Sequence, residues 1–180
     1  MKKLFFLALL AAYGAPLRAQ LYTAQSGETS FFSKAPLEDI SAVNKKVGAV
    51  LNTATGDIAV RIPMTEFQFP NKLMQEHFNE NYVESDKYPT ATFRGKIQEA
   101  VEYGKPGTYP VTAQGTLDLH GVKQERTLKG TLTVAEGRLT LQADFPIALK
   151  DHQIEIPKLV FQKIAETIAV KNNWVLVPRK

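Results

Sequence analysis

Apolar and polar residues alternate along much of this chain. Leu139, Leu141, Ala143, Phe145 and Ile147 share one face of an extended segment, and Arg138, Thr140, Gln142 and Asp144 share the other. Tyr109, Val111, Ala113, Gly115, Leu117 and Leu119 oppose Thr112, Gln114, Thr116 and Asp118 in the same way. So do Ile58, Val60, Ile62 and Met64 against Asp57, Ala59 and Arg61, and Leu128, Leu132 and Val134 against Lys129, Thr131 and Thr133. A period of two with one greasy face predicts antiparallel strands buried on one side.

Turn residues separate these runs at Thr55-Gly56-Asp57, Gly104-Lys105-Pro106-Gly107, His120-Gly121, Glu136-Gly137 and Lys150-Asp151-His152. The spacing leaves room for strands of roughly ten residues, about 33 Å long at 3.3 Å per residue. Earlier strands are predicted over residues 21–25, 28–34 and 43–52, with a turn or short helix at 36–39. A closing strand over 167–177 carries Ile168, Val170, Trp174 and Leu176. Successive hairpins expose unpaired edges unless the sheet closes on itself. The expected fold is therefore mainly β: an extended antiparallel barrel of about eight strands with one or two short helices.

The segment 67–95, FQFPNKLMQEHFNENYVESDKYPTATFRG, breaks the alternation. Leu73, Met74, His77, Phe78 and Tyr82 recur at helical spacing and form an apolar stripe; Gln75, Glu76, Asn79, Glu80 and Glu84 take the other side. Asn71 is placed to cap the helix, and Pro89 prevents it from continuing past Lys87. A second short helix is compatible with residues 157–164, where Leu159, Val160, Phe161 and Ile164 are apolar.

The spacing F-x-E-x-Y…K-Y-P-x-x-x-F-x-G within 67–95 resembles the YceI-like family of periplasmic lipid- and polyisoprenoid-binding proteins. Residues 115–122, GTLDLHGV, are similar to that family's G-x-L-x-h-x-G-v strand and turn, and residues 154–170 extend the likeness over nearly all of the chain after residue 19. The resemblance implies a lipocalin-like barrel that shelters a long apolar molecule, and it does not imply an enzyme. One departure stands out: family members commonly open on a Trp-x-x-Asp strand followed by His-Ser, whereas this chain reads LYTAQSGET from Leu21.

An eight-stranded barrel is either filled by side chains or holds one small ligand. Small residues on apolar faces (Ala113, Gly115, Gly130, Ala143) leave space, and Phe31, Phe67, Phe69, Phe78 and Phe93 are surplus aromatics near the helix. With the resemblance, these residues and Leu73, Met74, His77, Leu117, Leu119, Leu132, Leu141 and Phe145 are the candidate contacts for an apolar or amphiphilic molecule such as a polyisoprenoid, a quinone or another lipid. Without a cavity, the same residues would complete a solid core, and the protein would be a non-enzymatic interaction or stress protein working through its outer face.

Catalytic signatures are missing from the chain. It has no Gly-x-Ser-x-Gly elbow, no His-Glu-x-x-His helix and no phosphate-binding or dinucleotide glycine loop. His77, His120 and His152 are far apart in sequence, and none has a second ligand at metal spacing. The expectation is no catalytic residue, no metal and no cofactor. The 180 residues include no cysteine, which removes thiol chemistry and any lipid anchor on cysteine.

The opening of the chain changes the reading of charge. Lys2 and Lys3, the apolar run 4–12 and the small residues that follow have the pattern of a cleavable signal peptide ending at Ala19. That run is too short to span a bilayer, and no later segment is longer. Residues 1–19 hold three of the 22 basic residues and none of the 18 acidic ones, so the net charge of +4 falls to about +1 on cleavage. A charge so near neutrality points away from nucleic acid. The expectation is one exported barrel domain over 20–180, periplasmic or secreted, with a homodimer left open. Intact-mass measurement of the exported protein should give a chain starting at Gln20; retention of Met1 would overturn the export reading.

Overall fold

A computed structural model of the chain describes residues 21–157 and 163–179. Among these the chain forms nine antiparallel strands in one sheet: β1 (Leu21–Lys34), β2 (Asp39–Asn44), β3 (Gly48–Asn52), β4 (Asp57–Pro63), β5 (Thr90–Ile97), β6 (Gly107–Leu119), β7 (Val122–Ala135), β8 (Arg138–Ala148) and β9 (Thr167–Pro178). The order runs β2-β1-β3-β4-β5-β6-β7-β8-β9, and β9 pairs back onto β1. Eight strands thus close the barrel, and β2 is an extra strand outside the ring. No helix among the described residues is long and apolar enough to cross a membrane.

Two early strands differ from the expectation. Residues 21–25 and 28–34 are one strand, because a bulge between Ala24 and Ser26 absorbs the irregularity while β1 stays paired to β9. Residues 43–52 are two strands. The Asn44 side chain accepts from the Lys46 amide at 2.8 Å and turns the chain, while its own amide donates to the Pro63 carbonyl at 2.7 Å. This local competition for backbone partners is what asparagine does at strand ends.

The helix is shorter than its apolar stripe suggests. Asn71 caps it as expected, accepting from the Leu73 amide at 2.9 Å. Regular α-helix covers only Lys72–His77 (α1), and Phe78–Tyr82 widens into a π-turn. The second expected helix, 157–164, falls largely on residues 158–162, which lie outside the described residues.

Alternation places the core as predicted. Leu51, Leu132, Leu139 and Leu176 are fully buried. They sit on the β3, β7, β8 and β9 segments that meet at one end of the barrel, where Leu132 pairs with Leu141 and Leu139 with Leu176. That end is solid. The other end carries α1 and the loop that follows it. Here two turns interlock. The β6–β7 hairpin turns through His120 (φ 56°) and Gly121 (φ 72°), and a Cβ on Gly121 would lie 2.5 Å from the Tyr88 ring. Tyr88 also packs edge-on to His120 with ring centroids 4.5 Å apart, and the Pro89 carbonyl accepts from the Met64 amide at 2.9 Å. The Tyr-Pro and His-Gly pairs are distant in sequence and adjacent in space.

Gly115 does not make room in the interior. It pairs with Gly95 across β5 and β6, and a Cβ there would overlap the Arg94 carbonyl oxygen and the Gly95 Cα. Gly115→Ala should therefore behave as overpacking and cost about 1–3 kcal/mol or more, read by urea unfolding. Gly104→Ala, whose new methyl meets nothing within 4 Å, should be nearly neutral. Equal midpoints for the two variants would refute the close-approach account.

Candidate functional site

The barrel is hollow above its solid end. The cavity has a volume of about 460 Å³ and extends from Trp174 and Leu141 to α1. At roughly 30 Å³ per water-sized group, it has room for on the order of fifteen such groups. That volume lies within the usual range for small-molecule sites.

Its walls come from the inward faces of the alternating strands. Ala113, Leu117 and Leu119 of β6, Leu141, Ala143 and Phe145 of β8, and Phe93 of β5 all line it. The Phe93 ring lies against Gly95. Ala113 and Ala143 are the small inward residues that leave the space, and Gly130 lines it while held close to the Gln142 carbonyl of β8. Of the sixteen candidate contacts, Gly115 and Leu132 lie away from the cavity. Gly115 is held in the wall by its contact with Gly95, and Leu132 is sealed into the solid end.

Four phenylalanines form the upper wall. Phe31 stacks on Phe78 with centroids 5.5 Å apart, Phe67 lies 5.4 Å from Phe31, and Phe69 lies 5.0 Å from Phe78. Tilted and offset aromatic contacts of this kind add to burial energy. The cluster joins β1, the chain entering α1, and the π-turn, so the widened turn is what delivers Phe78 to it. Leu73, Met74 and His77 of α1 also line the cavity, yet none is buried. Leu73 is 56% exposed, which puts it at the rim. Asn71, Glu38 and Lys163 complete that mouth. Burial raises the Tyr82 phenol pKa above its ordinary value, so the phenol stays neutral.

Polar groups on the interior wall were missed by the reading of alternation. Thr29 donates to Asn172 Oδ1 at 2.9 Å and accepts from Trp174 Nε1 at 3.2 Å, and Asn172 Nδ2 donates to the Ala143 carbonyl at 3.0 Å. The signal was present, since Asn172 falls in phase with Val170 and Trp174 on the apolar face of β9. Its partner Thr29 is 143 residues away and could not be read from spacing. These groups are already bonded to one another, so the wall presents little unsatisfied polarity to a ligand.

Two histidines that are distant in sequence meet outside the cavity. His120 places Nε2 2.9 Å from Glu84 and Nδ1 3.0 Å from the His152 carbonyl, and His152 places Nδ1 3.3 Å from the Val122 carbonyl. Glu84 is exposed as expected, but it is not on a helix: it sits at φ 44° beyond the π-turn. Among the described residues no three His, Asp or Glu side chains converge as metal ligands would. The histidines join the β6–β7 turn to the 3₁₀ turn Leu149–His152 and hold the barrel end together.

The chain matches the profile of the YceI-like domain over residues 22–176. No curated protein matches it at a significant level. Among solved structures, a polyisoprenoid-binding domain from Saccharophagus degradans implicated in plant cell wall breakdown superposes with a TM-score of 0.78. It is 17% identical, and the match covers 88% of this chain and 98% of that one. Burkholderia cenocepacia BcnA is similar with a TM-score of 0.69 at 21% identity, covering 83% of this chain and 95% of its own. A Campylobacter jejuni YceI protein follows at 0.58 and 19%, covering 82% and 85%.

Burial holds the His152 imidazole pKa below its ordinary 6.5, with Arg126 acting in the same direction and Asp151 and the backbone carbonyls against it. The unfolded chain therefore takes up a proton near pH 6.5 that the folded protein refuses until lower pH. Stability should fall as pH drops through that value, by at most about 1.4 kcal/mol per pH unit. Urea midpoints measured between about pH 7.5 and 5.5 should show this slope, and His152→Asn should flatten it. An unchanged slope in the variant would assign it to another group.

Proposed function

This chain belongs to the YceI-like family, and on that premise we infer that it binds and sequesters or carries one amphiphilic molecule with a long apolar tail, by equilibrium and without chemistry. The observation that carries the reading is the 460 Å³ apolar cavity, which runs from Trp174 and Leu141 to the exposed rim of α1. A solid barrel would have favoured an interaction protein, and the hollow one favours a ligand. The polyisoprenoid binding of the Saccharophagus degradans neighbour adds support for an isoprenoid or related lipid. The tail would run along Phe93, Leu117, Leu141 and Phe145. Any polar end would lie at the mouth, near Asn71, His77 and Lys163. Binding would take place outside the cytoplasm, in keeping with the signal-like first nineteen residues.

The energetics are adequate. Each buried CH₂ contributes roughly 0.8 kcal/mol, so a tail of about ten carbons approaches 8 kcal/mol. That is comparable with the lower estimates of the cost of association. The bonded Thr29–Asn172–Trp174 group adds no large desolvation penalty because it needs no new partner.

Ala143→Phe tests the reading, because Ala143 lines the cavity and the new ring would occupy the tail's space. Affinity for a fluorescent apolar probe, N-phenyl-1-naphthylamine, should fall about tenfold or more while urea stability of delipidated protein changes by less than the 1–3 kcal/mol of true overpacking. Native mass spectrometry of protein from its own host should show a co-purifying lipid that the variant has lost. Large destabilisation with unaltered binding would instead indicate a filled interior.

A further inference from the structure

The barrel wall is not uniformly closed. β6 and β7 pair along their whole length, from Leu119↔Val122 to Gly107↔Val134. On its other edge β7 pairs with β8 only from Thr131↔Gln142 to Ala135↔Arg138. Residues 122–130 of β7 therefore have no ladder partner in β8 among the described residues, although β8 continues to Ala148 along β9. The gap is roughly 26 Å long at about 3.3 Å per residue.

The sequence accounts for the parting. Pro146 lies within this stretch of β8 and has no N–H to offer β7, and proline is confined to such unpaired edges. Gly130 stands beside the last rung, where β8 still approaches so closely that a Cβ would overlap the Gln142 carbonyl and lie 3.2 Å from the Ala143 Cβ; the parting begins beyond it. Gly130, Ala143 and Asn172 line the interior cavity, and the same three residues line a cleft of about 600 Å³ on the outer surface. The interior cavity and the outer cleft therefore share a wall at these three residues.

The gap is crossed by side chains instead of a ladder. Arg126 Nη2 donates to the Pro146 carbonyl at 2.6 Å, and Gln124 Nε2 donates to the Asp151 carbonyl at 2.9 Å. Arg126 is in the inward phase of β7, in register with Leu128 and Gly130, yet it turns across the opening. Side-chain bonds of this kind open without disturbing the eight-stranded ring, whereas backbone ladders do not.

Resting on the binding reading above, we propose that the parting of β7 and β8 is a lateral portal through which the apolar tail enters and leaves the cavity, and that Arg126 is its latch. The mouth beside α1 then holds the ligand's polar end and is not the passage for its tail. A gate of this type alters the rates of entry and exit together and leaves the equilibrium nearly untouched.

The chain has no cysteine, so a bridge can be installed without background. Thr127→Cys with Pro146→Cys, on the exposed outer side of the gap, would be joined by a short reducible bifunctional thiol reagent. The control is the same bridge at Thr133→Cys with Thr140→Cys, where the ladder is already formed. Stopped-flow binding of N-phenyl-1-naphthylamine should slow about tenfold or more in both directions across the gap, recover on reduction, and stay unchanged in the control, with Kd altered less than about twofold. Arg126→Ala, which needs no bridge, should speed both directions. Rates unaffected by the bridge and by Arg126→Ala would place exchange at the mouth and overturn the portal. Failure of the unbridged protein to bind the probe would overturn the binding reading itself, and the portal with it.

Discussion

β1 makes the closure on which everything else depends. One edge of this strand holds β9 from Tyr22↔Pro178 to Phe32↔Ala169, and the other edge is divided between β3 near Leu21 and β2 beyond Thr29. Because both edges are used, the sheet has no free end inside the ring. The inward faces of eight strands are then forced to look at one another across an enclosed space. The bulge at Ala24 and Ser26 lets β1 bend as it passes from one neighbour to the next, which a regular strand would resist.

Once the ring exists, the volumes of inward side chains decide what it contains. At the solid end leucines meet and exclude water. Higher up, Ala113 and Ala143 are too small to reach across, and the cavity opens. The four phenylalanines at the upper wall keep that space apolar. They also tie the π-turn to β1, which makes the short helix part of the site. The Tyr88–Gly121 contact and the His120–Glu84 pair fasten the same loop to the β6–β7 hairpin from outside. Rigid walls and a fastened mouth suit a holder. Movement that admits a large ligand is easiest where a ladder is interrupted, as it is along residues 122–130 of β7.

Much of this was readable in the residues. A period of two is local, each strand carries its own record of which face is buried, and fourteen of the sixteen candidate contacts do line the cavity. The cap at Asn71 and the turn at His120-Gly121 were legible for the same reason, since each depends on two to four neighbouring residues. The errors fell where local and distant demands compete. The apolar stripe 73–82 predicted one helix, but Phe78 is needed in a cluster with Phe31, and the backbone widens to put it there. Gly115 looked like space because it lay on the apolar face, yet the backbone of Gly95 had already taken that space.

The sequence by itself determined that the chain is a closed antiparallel barrel with an apolar interior, because alternation, turn spacing and the edge problem leave few alternatives. Only the tertiary structure decided that the interior is hollow, that Thr29 meets Asn172, and that β7 and β8 part company beyond Thr131. Each of these depends on which residues face one another across the ring and between strands. That follows from register and curvature summed over all eight strands, and no window of sequence contains it.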